Sequence, residues 1–119
     1  MKQFLCTLLA MMAMCFTVAT YAKTNEEIAQ MCETLSDTVN NLATQQTKEI
    51  CISRLVYGAN LIADAGHFIL VDERMGARVN INSAIEEIGM SELSGCKELT
   101  KLHFAKADAY GIRNDIDAL

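Results

Sequence analysis

No proline occurs anywhere in this chain. Proline is the strongest breaker of a helix and the commonest marker of all-β turns, so its absence leaves helices free to run long. A basic cluster is missing too, since Lys97, Lys101 and Lys106 are the nearest thing to one, and fifteen acidic residues against ten basic ones set the net charge at −5. Such a surface repels phosphate, which excludes nucleic acid as an ordinary partner and favours a basic protein instead. Chemistry is equally thin. His67 and His103 are the only histidines, and there is no Gly-x-Ser-x-Gly elbow, no His-Glu-x-x-His pair and no Cys-x-x-Cys. The expectation is therefore a protein that is not an enzyme, with no catalytic, metal or cofactor-binding set.

What is there begins with an address. MKQFLCTLLAMMAMCFTVATYA has an early charge at Lys2, an apolar run from Phe4 to Ala19, and small residues at Thr20 and Ala22, three and one places before a break after Ala22. That is the pattern of a secretory signal peptide over residues 1–22. The run lacks the Lys/Arg flank of a stop-transfer anchor, and Met14 before Cys15 is too bulky for a lipidation site. Cleavage would leave residues 23–119, a single helical domain carrying one basic residue fewer and a net charge of −6, in the periplasm or outside the cell. A chain of that size buries about two-thirds of its unfolded surface around one core.

Four helices are predicted. Thr24 and Glu27 stand at capping-box spacing, and Ile28, Met31, Cys32, Leu35, Val39 and Leu42 follow at steps that build one apolar stripe, so the first helix should span about Asn25 to Ala43. Thr44 to Glu49 is polar and makes the turn. The second helix should begin near Lys48 and end near Asp72, with Phe68–Val71 open to either a helical or a strand reading, since four apolar residues in a row have no period. A loop would run on through Gly76. Asn82 or Ser83 would cap a third helix that Gly89 stops, and a fourth would run from Ser94 to Tyr110, ended by Gly111, with Cys96, Leu99, His103 and Tyr110 along one line and Ile112, Ile116 and Leu119 in a packed tail.

Cys51 to Val71 is apolar enough to raise the question of a membrane span. Arg54, Asn60, Asp64 and His67 lie inside it, and Arg or Asp near a bilayer centre costs about 2.5 to 3.5 kcal/mol each. No membrane span is expected after the signal segment. The stretch reads instead as the central helix of a soluble bundle, whose Gly58, Ala59, Ala63 and Gly66 would let a neighbour approach closely, within the subunit or across a homodimer.

Cys32, Cys51 and Cys96 remain in an oxidising compartment. A turn at residues 44–47 would offset Cys32 from Cys51 by about 12 Å along the hairpin, beyond the roughly 7 Å that a disulfide tolerates between α-carbons. Cys51 and Cys96, near the starts of two parallel helices, are the expected pair. A turn at Asn40 and Asn41 would bring Cys32 and Cys51 together instead.

Two pairs could be drawn as half-sites: Asp64 with His67, three apart, and Cys96 with His103, seven apart. Neither supplies the three or four ligands that zinc needs, and a hydrogen-bonded polar pair and a structural bridge are the simpler readings. For recognition, Asp72, Glu73, Arg74, Met75 and Arg78 place charge around a methionine in the loop between two helical blocks, and these are the candidate partner-binding residues. In size, address and helical content, residues 23–119 are similar to small periplasmic inhibitors and immunity proteins that block peptidoglycan-cutting enzymes. The similarity is of general form, matches no motif and carries no residues over. The function expected is protein binding, possible in two forms: an inhibitor of a basic cell-wall hydrolase, or a small structural or chaperone-like homodimer of the envelope.

Overall fold

A computed structural model of the chain describes residues 22–119. The expected signal peptide lies, except for Ala22, outside them. The described part is a small all-α bundle of four helices: α1 Asn25–Thr44, α2 Glu49–Leu70, α3 Arg74–Leu93 and α4 Leu99–Asp117. Each packs on its neighbours in sequence and α4 closes back on α1, so the helices form a ring with short connections and alternating direction. Of the four edges, that between α1 and α4 is the loosest. Among the described residues there is no strand, and no helix is long and apolar enough to cross a membrane.

Helix α1 starts as the sequence predicts. The Glu27 amide donates to Thr24 Oγ1 at 3.2 Å, while the Glu27 carboxylate accepts from the same hydroxyl at 3.3 Å rather than from the cap's own amide. Ile28, Cys32, Leu35, Val39 and Leu42 face the core, and Met31 is half-buried at the edge of the stripe. Helix α2 supplies Leu55, Ala59, Ile62 and Ile69 to the core, and its Arg54 meets Glu87 of α3 at 3.4 Å. The stretch Phe68–Leu70 is helical, which closes the strand alternative.

The glycines of α2 set its distance from both neighbours. A Cβ on Gly66 would lie 3.1 Å from Cys32 Cβ and 3.4 Å from the Ala29 carbonyl of α1, and one on Gly58 would meet Glu87 Cβ of α3 at 3.6 Å. The close approach that these small residues allow is thus used inside the subunit.

Helices α3 and α4 differ from expectation. Helix α3 begins at Arg74, eight or nine residues before the predicted cap, and passes through Gly89 to Leu93. The loop expected through Gly76 is its first turn. Its buried stripe, Ala77, Ile81, Ala84, Ile85 and Ile88, is thin and interrupted by Asn80, Asn82 and Ser83. Gly95, with φ +70, is the glycine that ends it: the Cys96 amide reaches back to the Ser91 carbonyl across six residues, as in a Schellman ending. Helix α4 starts at Leu99 and continues through Gly111, so the predicted tail is its last turns. Its buried face is Leu102, Ala105, Ala109, Ile112 and Ile116, while Leu99, His103 and Tyr110 are exposed.

One end of the bundle is stapled. Cys51 and Cys96 form a disulfide with a Cα–Cα distance of 5.7 Å, joining the first turn of α2 to the α3–α4 connector. Beside it the buried Gln46 side chain pairs with the backbone of Lys97 on both sides, Oε1 accepting from the amide at 2.7 Å and Nε2 donating to the carbonyl at 2.9 Å. The hairpin turn therefore falls where the polar run suggested, between Thr44 and Glu49.

Candidate functional site

At the other end of the bundle α2 passes into α3. The Glu73 amide donates to the Phe68 carbonyl at 2.8 Å and the Asp72 amide to the Ile69 carbonyl at 3.1 Å. That is again a Schellman ending, with Asp72 at φ 60 in the left-handed position that glycine usually fills. Aspartate tolerates this region better than most side chains. The turn is consequently tight, and of the predicted partner-binding residues only Asp72 and Glu73 lie in a connector. Arg74, Met75 and Arg78 sit on the first turns of α3.

The placement on a helix sets these residues beside the end of α2, across one tight turn. Met75 is 80% exposed, Val71 68% and Val79, one helical turn beyond Met75, 60%. Phe68, also exposed, lies against Gly76, where an added Cβ would come within 3.2 Å of its ring. Phe68 and Val71 line a shallow depression of about 380 Å³ together with Asp64, His67 and Asn80. Asp72, Glu73 and Arg74, between Val71 and Met75 in the chain, are all exposed, and the Arg78 guanidinium is held by Asp117 of α4 at 2.8 Å. An apolar centre inside a polar, charged rim is the anatomy of a recognition surface. The charges and Met75 are legible in the sequence as candidates, whereas Phe68, Val71 and Val79 carry no such signal, because an apolar residue at a helix end or in a predicted loop does not show its exposure.

No protein-family model matches this chain, and neither a curated protein nor a solved structure does.

The half-sites considered for catalysis are not assembled. Asp64 and His67 are both exposed, and among the described residues no hydrogen bond joins them. Cys96 is spent in the disulfide, so His103 has no thiol beside it; its Nδ1 lies instead 3.6 Å from Glu92, which Lys106 approaches at 2.6 Å. The remaining cysteine among the described residues, Cys32, has no exposed surface, and burial pushes its thiol up to about 11. A neutral, enclosed thiol is a poor nucleophile. Among the described residues no group of three or more His, Cys, Asp or Glu is placed to hold a metal ion.

Proposed function

We propose that the chain is a secreted, periplasmic protein-binding module, without catalytic activity of its own, that docks through the α2–α3 corner onto a basic partner. The observation that carries this reading is the exposed apolar group Phe68, Val71, Met75 and Val79 within the rim of Asp72, Glu73 and Arg74. Solvated side chains of this size gain free energy only when covered, at roughly 25 cal/mol per Å². The excess of acidic residues would steer a cationic protein toward the surface. A disulfide and the lack of a spanning helix among the described residues are compatible with the address. A basic cell-wall-degrading enzyme, blocked at its cleft, fits the size, charge and address of the binder.

The homodimer reading loses its motives. Gly58 and Gly66 of α2 meet α3 and α1 of the same chain, and Cys32, unpaired among the described residues, is buried.

The test is capture from envelope extract with the protein and with its Met75→Asp variant. One dominant basic protein should be retained at low salt and partly released at high salt, and its peptidoglycan-cleaving activity should fall when the protein is added. Met75→Asp, at a solvated position, should keep the helical circular dichroism and lose the capture. An unchanged set of captured proteins would refute the surface; a captured hydrolase that stays fully active would refute the inhibitor.

A further inference from the structure

On the side of the bundle where α1 and α4 meet, their loose edge opens into a groove of about 530 Å³. Its walls come from Met31, Thr34, Leu35 and Thr38 of α1 and from Ala107, Asp108, Gly111, Ile112 and Asp115 of α4, with Lys23 at one end. The volume lies within the range of small-molecule sites, and between the helices of a bundle is one of the places such sites occur. Three observations say what the groove would take.

First, the groove is short. From Ala107 to Asp115 is eight helical steps, about 12 Å, which suits a short hydrocarbon body and is too little for a docked helix of several turns. Second, its charges are unequal. Lys23 Nζ closes on Asp115 at 2.9 Å, whereas Asp108 has no ion pair among the described residues. The open carboxylate beside an apolar floor of Met31, Leu35 and Ile112 complements a cation on an apolar stem. The Thr38 hydroxyl is already committed to the Thr34 carbonyl at 3.0 Å, and the neutral side chains of Gln30 and Asn114 add polar lining without adding charge. Third, the wall carries a glycine that the fold does not need. A Cβ built on Gly111 meets nothing within 4 Å. Glycine in a helix interior weakens it relative to alanine, and here no neighbouring group asks for the space. Gly111 lines the groove, so a larger side chain there would project into it.

We propose that the α1–α4 groove binds a small amphiphile with an ammonium head and a short apolar body. The head pairs with Asp108 and the body lies on Met31, Leu35 and Ile112 in the space left by Gly111. This site is separate from the α2–α3 corner and stands or falls independently of it.

The experiment titrates the protein with decylammonium, decanol and decyl sulfate below their micellar concentrations, following the methyl resonances of Met31 and Ile112. Decylammonium should saturate at one per chain, at least tenfold tighter than decanol, with decyl sulfate weaker than both. Asp108→Asn should bring decylammonium to the affinity of decanol and leave decanol unchanged. Gly111→Leu should abolish binding of all three without lowering the melting temperature, and Ala107→Leu is the second groove-filling variant should the first melt lower. Met75→Asp should change nothing. Decyl sulfate binding as tightly as decylammonium, groove-filled variants of native stability that still bind, or no saturable shift at Met31 and Ile112 would each overturn the proposal.

Discussion

Gln46 shows how much one side chain can do for a connection. Its amide reproduces, toward the Lys97 backbone, the paired donor and acceptor of a β-ladder, and so fastens the α1–α2 turn to the α3–α4 connector. Replacing it by alanine strips the Lys97 amide and carbonyl of their partners, and Gln46→Ala should lower unfolding free energy by about 1 to 3 kcal/mol in urea titrations. A loss near zero would mean that water replaces the side chain fully. Nothing in the sequence marked this residue beyond its place in a polar run, because its partners are backbone atoms fifty-one positions away. Cys32 makes a second residue-scale expectation. Its folded thiol titrates at about 11, above the unfolded value, so the neutral form is favoured in the native state. The resulting stability is present in full below the unfolded pKa of about 9 and is lost as pH rises through the folded value, up to roughly 3 kcal/mol. Cys32→Ala leaves a small void at neutral pH. Its stability deficit against the parent should shrink between pH 9 and 11, and a constant deficit would argue that the thiol is not enclosed.

Among the elements, the glycines separate those that the packing requires from those it merely accepts. Gly66→Ala would press a Cβ onto Cys32 and the α1 backbone, where neither can yield easily, and should destabilise by about 1 to 3 kcal/mol despite the better helix propensity. Gly89→Ala meets nothing within 4 Å and should stabilise by about 0.5 to 1 kcal/mol. Thermal midpoints moving in opposite directions are the expected readout. The same distinction explains which helices were legible. In α1 the cap, the stripe and the polar turn agree, and its bounds are read to within a residue. In α3 they disagree: Ser83 and Glu86 imitate a start in the middle of the helix, and Gly89 imitates an end. Gly89 and Gly95 are alike on paper, and only the second has a positive φ. Cutting α4 at Gly111 put Ile112 and Ile116 in a separate packed tail, buried as expected but left out of the helix's own stripe, whose inferred line then ran through exposed Leu99, His103 and Tyr110. The surface proposed for docking was half legible for the same reason. Its charges are local in sequence, whereas its apolar part depends on the turn that lays Phe68 against Gly76.

For the whole molecule the disulfide is the deciding bond. It could be foreseen because the polar run fixed the turn, and the turn fixed the register of the cysteines. It closes a separation of 45 residues, for which chain-entropy estimates give roughly 3 to 5 kcal/mol. Cys51→Ala and Cys96→Ala should destabilise about equally, with the double variant no worse than either single one. Unequal single variants, or a double variant with a summed loss, would show that the thiols act through packing instead of through the bond. The bond also has a topological consequence. Cys51 and Cys96 enclose α2 from Cys51 onward, the α2–α3 turn and all of α3 in one covalent circle. A protease that cuts the peptide after the exposed Arg74 therefore opens the circle without releasing either piece, and the nicked molecule keeps its two halves, adding one water to its mass. On a gel it should run as one band until a reductant is added and as two afterwards.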